Sequence, residues 1–140
     1  MGSLIRTTAE GIVDAAGKPV FDIVAQIGFD LSELENAPAA DVIIDFSNVV
    51  TFDAVVAYVE RTGTALVSGT TGYTPEQMDR LHELGQNARV MHSGNYSIGI
   101  AALRHLVAQA TRELPGFDCE IVETHHNQKL DAPSGTAKLL

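Results

Sequence analysis

The run Asp41-Val42-Ile43-Ile44-Asp45-Phe46 has the near-continuous hydrophobicity of a strand that is covered on both faces of a parallel sheet. Further strands are predicted at residues 21–27, 64–68, 88–92 and 119–123. Helical segments alternate with these strands, which implies right-handed crossovers between parallel neighbours. The sequence therefore predicts an α/β fold with a doubly wound parallel sheet and helices on both of its faces.

The helices are predicted from the spacing of apolar residues and from signals at their ends. The sharpest start is Thr74-Pro75-Glu76-Gln77, which combines an N-cap, a first-turn proline and a capping-box glutamine. The other predicted helices are residues 3–16, a segment carrying Phe52, Val55, Val56 and Val59, and a segment from Ile98 that ends at Leu114-Pro115.

The composition limits the classes of protein that fit. A chain of 140 residues, 45% of them hydrophobic, can bury one core or slightly more. The net charge of -9 argues against a nucleic-acid partner, which needs clustered Lys and Arg. No apolar run reaches the roughly 20 residues that span a bilayer, and no signal-peptide layout opens the chain, so a cytoplasmic protein without a membrane partner is expected. The single Cys119 excludes an intrachain disulfide and is expected to be buried at the start of a strand.

Ligands of doubly wound sheets bind beyond the carboxyl ends of the strands, so the polar residues at these ends are the first candidates. Gly69-Thr70-Thr71-Gly72 follows the strand at 64–68, where small residues let backbone amides approach a ligand. Ser93-Gly94-Asn95-Tyr96 follows the next strand. Taken alone, the first is more typical of a plain turn and the second of a helix-capping loop.

A third cluster, residues 125–136, contains more side chains that can transfer protons or bind anions than the first two clusters do. It brings two imidazoles, an amine, the carboxylate of Asp131 and a Ser-Gly-Thr turn into one short stretch. A neutral histidine can pass a proton near neutral pH, Lys129 can donate to an anion, and the turn can hold a carboxylate. Metal binding by His125 and His126 is less favoured, because adjacent side chains of an extended backbone point to opposite faces. No metal site is predicted.

Residues 123–137 reproduce without a mismatch the run Glu-x-His-His-x-x-Lys-x-Asp-Ala-Pro-Ser-Gly-Thr-Ala, and in this the chain resembles the dihydrodipicolinate reductase family. Other marks of the family occur in order at residues 41–47, 69–73 and 95–99, so the resemblance covers nearly the whole chain. It implies a Rossmann-like dinucleotide-binding domain at residues 1–96. The start of an α+β substrate-binding domain would follow at 97–140.

The resemblance also implies an activity and a set of site residues. Family members transfer a hydride from NADH or NADPH to dehydrated hydroxy-tetrahydrodipicolinate, giving tetrahydrodipicolinate in lysine and diaminopimelate biosynthesis. His125 would be the acid or base and Lys129 its proton-donating partner. Substrate contacts would come from His126, Ser134, Gly135 and Thr136, and cofactor contacts from Gly69, Thr70, Thr71, Ser93, Gly94, Asn95 and Tyr96. Full-length members would form homotetramers.

The sequence departs from the family pattern at its start. Family members open with a strand and Gly-x-x-Gly-Arg-Met-Gly, where this chain has only Met1-Gly2, so we expect it to begin inside that loop, without the first strand, and to end before the tetramer-forming sheet. A central slot, or a strand from elsewhere, is predicted between residues 21–27 and 42–46. The chain alone is then expected to fold poorly or aggregate.

The sequence leaves three further points open. Ser93-Gly94 replaces the Ala-Pro or Ala-Ala that is common in the family. Gly28 and Asp30 fall near the position that selects between NAD and NADP, which leaves both nucleotides possible. The alternatives to an active reductase are an inactive fragment or non-catalytic interaction protein that keeps the motif and, less favoured, a metal-dependent hydrolase.

Overall fold

The apolar run of residues 42–45 forms a strand in the computed structural model, which describes residues 1–28, 30–129 and 132–140. Within these residues a three-stranded parallel sheet has the order β1-β2-β3, with β1 at Val42–Asp45, β2 at Ala65–Ser68 and β3 at Val90–His92. The predicted α/β fold with a parallel, Rossmann-like sheet is thereby confirmed.

The described residues divide into two compact units, residues 1–92 and residues 93–140. The first unit contains the sheet and most of the buried side chains, and the second contains a long helix and the polar segment that follows it. The helices are α1 at Gly2–Glu10, α2 at Ser32–Asn36, a 3-10 turn at Val49–Thr51, α3 at Phe52–Thr62, α4 at Pro75–Leu84, α5 at Ile98–Glu113 and α6 at Gly135–Leu139. No helix in the described part of the chain is long and apolar enough to cross a membrane.

The core of the first unit lies between one face of the sheet and helices α3 and α4. The four apolar residues that predicted α3 are all buried, because their helical spacing places them on one side of the helix. Leu81 and Leu84 of α4 and Leu66 of β2 belong to the same cluster, and Ile43 and Val90 pack against it. This packing fixes the carboxyl ends of the three strands relative to the loops that follow them.

Helix α4 begins where the sequence predicts. The side chain of Thr74 accepts a hydrogen bond from the Gln77 amide at 3.2 Å, and the Gln77 side chain accepts one from the Thr74 amide at 3.0 Å. The capping box is therefore complete and confirmed. Helix α5 also starts and stops as expected, with a Ser97 cap whose hydroxyl accepts from the Ile100 amide.

The prediction that strand β1 is covered on both faces is wrong. Val42 and Ile44 remain 41% and 46% exposed, and Met91 of β3 remains 55% exposed. The parallel register places Ile44 beside Val67 and Val67 beside Met91, so these side chains share one face of the sheet. No described helix of this unit buries that face, and α1 contributes no buried residue.

Two of the predicted strands are not formed, because apolar composition cannot supply a ladder partner. Residues 21–27 and 119–123 do not form strands, and their apolar side chains, such as Phe21 and Val122, are exposed. Cys119 is exposed rather than buried, since the strand that should have contained it is absent. The predicted slot between residues 21–27 and 42–46 is therefore not formed as expected, because only the second of these segments contains a strand.

Helix α1 ends at Glu10 instead of residue 16. Gly11 donates its amide to the carbonyls of Thr7 and Thr8, which closes the last turn. The Asp14 carboxylate then accepts hydrogen bonds from the amides of Ala16 and Lys18, at 2.8 and 2.9 Å. This local turn competes with the helix for the same backbone donors.

Candidate functional site

The last residues of the three strands form a polar row across the sheet of the first unit. Asp45 lies in register with Ser68, and Ser68 lies in register with His92. All three side chains follow core-facing residues at alternate positions, so they share the face that packs on α3 and α4. The carboxyl edge of a parallel sheet is where such folds bind ligands.

Asp45 is the centre of a buried hydrogen-bond network. Its Oδ2 accepts from Thr70 Oγ1 at 2.7 Å, from the Tyr73 hydroxyl at 3.4 Å and from Ser68 Oγ at 3.5 Å. Its Oδ1 accepts from the Ser47 amide at 3.1 Å and from the Ser47 hydroxyl. Asp45, Ser68 and Thr70 are 6%, 0% and 3% exposed. Asp45 was not assigned a role from the sequence, although its position at the end of β1 was a signal.

Tyr73 covers this network. Its hydroxyl lies 2.9 Å from Ser68 Oγ, and its ring lies 5.0 Å from Phe52 and 5.1 Å from His92 between centroids. Burial raises the pKa of the Tyr73 phenol, with a smaller contribution in the same direction from the charge of Asp45. His92 Nδ1 is buried without a hydrogen-bond partner among the described residues. A polar atom of this kind at a strand end is typical of a site that accepts a water or a ligand.

The turn after β2 contains the predicted cofactor residues Gly69, Thr70 and Thr71. A Cβ atom on Gly69 would collide with the ring of Phe46, so the close approach that requires glycine here is made by that ring. The positive φ of the turn, +88°, belongs to Gly72. Thr71 is exposed while Thr70 is buried, so the two neighbouring hydroxyls face different surroundings.

In the second unit, the predicted cofactor segment is tied to the predicted substrate turn. Asn95 Nδ2 donates to Thr136 Oγ1 at 2.7 Å, and its Oδ1 accepts from the Ser97 amide at 2.7 Å. Ser93 Oγ donates to the Asn95 carbonyl at 2.7 Å and accepts from its amide at 3.2 Å. Burial raises the pKa of Tyr96, which follows in this segment.

Glu123 joins two further predicted residues and was not assigned a role from the sequence. Its Oε1 accepts from the Ser134 amide at 2.8 Å, and its Oε2 lies 2.9 Å from His125 Nε2. Hydrogen bonds from Ser134 and then from His125 lower the pKa of Glu123 to about 2. The family run contains this glutamate, but nothing in the spacing of residues 123 and 134 indicates that they meet.

The remaining residues of the motif are arranged around this contact. Ser134 is buried and caps α6, its hydroxyl accepting from the Ala137 amide at 3.0 Å, and Gly135 and Thr136 form the first turn of that helix. His126 accepts from the Gln128 amide through Nδ1 and from the Lys129 amide through its carbonyl, both at 3.2 Å. The predicted carboxylate of Asp131 lies outside the described residues.

The two histidines were also considered as possible metal ligands. In the part of the chain that the structure describes, no group of three or more His, Cys, Asp or Glu side chains could hold a metal ion. His125 is directed instead at Glu123, and His126 at the backbone of its own turn. Both histidines therefore take part in hydrogen bonds within this segment.

Comparisons with known proteins relate both parts of the chain to the same family. Residues 6–96 match the family model described as "Dihydrodipicolinate reductase, N-terminus", and residues 99–140 match "Dihydrodipicolinate reductase, C-terminus". A 4-hydroxy-tetrahydrodipicolinate reductase of Stenotrophomonas maltophilia (strain R551-3) is 47% identical over 135 residues, which cover 96% of this chain and 52% of that protein. The corresponding protein of Caulobacter vibrioides is 40% identical over 147 residues, covering 100% of this chain and 56% of the relative. The chain spans about half the length of the curated relatives it matches.

Proposed function

Because the chain belongs to the dihydrodipicolinate reductase family, we propose that it carries the nucleotide-binding part and the start of the substrate-binding part of a reductase. The reaction is the transfer of a hydride from NADH or NADPH to dehydrated hydroxy-tetrahydrodipicolinate, with addition of a proton. The dinucleotide-binding domain ends near residue 96, where the match to the first family model also ends. The observation that carries the proposal is the Glu123 carboxylate, which holds both His125 and the Ser134 turn.

The residues of the first unit fit a nicotinamide dinucleotide. The turn at 69–72 follows the middle strand at the carboxyl edge of the sheet, Thr71 is exposed, and a Cβ on Gly72 would meet open space. A turn of this kind offers backbone amides and one hydroxyl to a polar ligand. When bound, the nucleotide supplies the hydride, while Gly69, Thr70 and Thr71 shape its site.

In the second unit, Ser93, Gly94, Asn95 and Tyr96 are the further contacts we assign to the nucleotide. The hydrogen bond from Asn95 to Thr136 supports this assignment, because it fixes that segment against the turn assigned to the substrate. A displacement of either segment would then be transmitted to the other. Such coupling is useful in a reaction that requires two reactants to be held in a fixed geometry.

We assign the proton transfer to His125, with Lys129 as its partner. Glu123 is ionised at neutral pH, since its pKa lies at about 2, and it accepts a hydrogen bond from His125 Nε2. This contact orients the imidazole and leaves Nδ1 to exchange a proton with the substrate. The protonated amine of Lys129 would stabilise negative charge that develops on the substrate.

We assign the substrate carboxylates to His126, Ser134, Gly135 and Thr136. The backbone at this turn is held by Glu123 and by the Ser134 cap, so its remaining donors keep a fixed direction. Fixed donors bind an anion without a large cost in ordering. The complete enzyme is proposed to be cytoplasmic and to assemble as a homotetramer.

The experiment that tests the proposal uses the intact cellular protein, the hydroxy-tetrahydrodipicolinate substrate and either nucleotide. His125→Ala and Lys129→Ala should each lower turnover by roughly 10²- to 10⁴-fold, while the Kd for the nucleotide stays near that of the parent protein. His82→Ala, on the exposed side of α4, is the matched control and should keep its activity. Substantial turnover by either site variant would contradict the assigned chemistry.

A further inference from the structure

We propose that Asp45 is a positioning residue for the nucleotide site: its buried carboxylate holds the turn after β2 against the loop after β1. The inference rests on the proposed function for the identity of the ligand, a nicotinamide dinucleotide. It also gives two adjacent threonines different roles. Thr70 holds the turn through its bonds to Asp45 and Ser47, and Thr71 presents its hydroxyl to the ligand.

The carboxylate is bonded to both loops through different oxygens. Oδ1 accepts from the Ser47 amide in the loop after β1, and Oδ2 accepts from the Thr70 hydroxyl in the turn after β2. The two loops also touch directly, because the Ser47 amide lies 3.1 Å from Thr70 Oγ1. Since Asp45 is almost fully buried, little water competes for these bonds.

The hydroxyl of Thr70 is committed within the protein. It donates its proton to Asp45 and accepts from the Ser47 amide, and the residue is only 3% exposed. A nucleotide could therefore reach Thr70 through its backbone but not through its hydroxyl proton. Thr71 is exposed, and it is the one of the two whose side chain is open to a ligand.

Adjacent isosteric substitutions separate these roles. Thr70→Val removes the bond to Asp45 and keeps the shape of the side chain, whereas Thr71→Val removes only the exposed hydroxyl. Thr70→Ser restores the hydroxyl and serves as the rescue variant. Asp45→Ala removes the carboxylate itself, and Thr111→Val, on exposed α5, is a threonine control outside the network.

Two readouts are measured on the intact protein. Amide hydrogen exchange of a peptide covering residues 69–74, without nucleotide, reports how firmly the turn is held. Fluorescence titration with NADH and with NADPH reports affinity. Loss of one hydrogen bond to a charged group should weaken binding by on the order of tenfold.

Thr70→Val and Asp45→Ala should both speed exchange in the turn and weaken nucleotide binding, and Thr70→Ser should restore both. Thr71→Val should weaken binding while exchange stays unchanged, and Thr111→Val should change neither readout. If the parent protein binds neither nucleotide but Thr70→Val still speeds exchange, the proposed function fails, whereas the holding of the turn by Asp45 stands. Parent-like exchange in a folded Thr70→Val protein, or equally fast exchange in Thr71→Val, overturns the proposal.

Discussion

Single residues in this chain act mainly through the neighbours they hold in place. Glu123 joins a histidine to a serine turn, Asp45 joins two loops, and Gly69 leaves room for a ring. For Glu123 and Asp45 the chemistry of one side chain determines the geometry of a segment, and for Gly69 the lack of a side chain does so. Substitutions at these residues should therefore change the position of their partners as well as their own contacts.

Gly69→Ala should destabilise the first unit, because its new Cβ would collide with the ring of Phe46. Overpacking of this kind typically costs about 1–3 kcal/mol in the free energy of unfolding. Gly28→Ala is the matched control, since its Cβ would meet nothing within 4 Å. In a Phe46→Ala background the cost of Gly69→Ala should fall, and a cost that is unchanged there would show that the ring is not the obstacle.

The Glu123 clamp, which consists of the contacts of this carboxylate with His125 and with the Ser134 amide, should be lost in acid. Its folded-state pKa of about 2 lies below the ordinary value of 4.5, so the clamp contributes stability that is fully present above about pH 4.5. That contribution disappears as the pH falls toward about 2. Unfolding measured against pH should show parent protein and Glu123→Gln converging over this window, with exposed Glu120→Gln as the control. A gap between parent and Glu123→Gln that stays constant down to pH 2 would contradict the assigned ionisation.

Helices and strands differed in how well the sequence predicted them. Features formed by neighbouring residues were predictable, whereas features that need a partner distant in the chain were not. Helix α4 was predictable to its first residue, because the Thr74 capping box is formed entirely by neighbours in the chain. Residues 21–27 and 119–123 had strand-like composition, yet a strand exists only when another strand lies beside it. The motif at 125–136 identified the candidate site, whereas the contact between Glu123 and Ser134 depends on a chain reversal that no local pattern shows.

Thr74→Ala should shorten or loosen α4 by removing the acceptor for the Gln77 amide. Loss of an N-cap typically costs about 0.5–2 kcal/mol. Because α4 buries Leu81 and Leu84 in the core, this loss should appear in the unfolding free energy of the first unit as a whole. Thr74→Ser keeps the acceptor oxygen and should remain close to the parent protein, and equal losses in the two variants would exclude the cap as the cause.

On the scale of the whole molecule, the two units differ in how their apolar residues are used. The first unit buries a cluster between the sheet and two helices, whereas α5 in the second unit contains no buried residue. The sequence predicted the helices of the first unit and α5 equally well, because the spacing of apolar residues shows which side of a helix is apolar. It does not report whether another element packs against that side.

One face of the sheet is apolar and is not covered by any helix that the structure describes in the first unit. Val42, Ile44 and Met91 are 41%, 46% and 55% exposed, and the register places them together with Val67 on one face. Contiguous apolar surface of this kind binds hydrophobic dyes and promotes association, unlike single exposed apolar residues. Ile44→Thr keeps β-branching in the strand while it introduces a hydroxyl into the middle of the face, so we expect lower dye fluorescence and weaker concentration-dependent association.

Val50→Thr is the matched control for this test. Val50 is 78% exposed, more than Ile44, but it lies in the 3-10 turn and not on the sheet. Both substitutions are at the surface and should change the unfolding free energy by no more than about 0.5 kcal/mol, so a difference in dye binding would report the apolar face itself. If Val50→Thr lowers dye fluorescence and association as much as Ile44→Thr does, total exposed area rather than a contiguous face governs these properties, and the prediction is wrong.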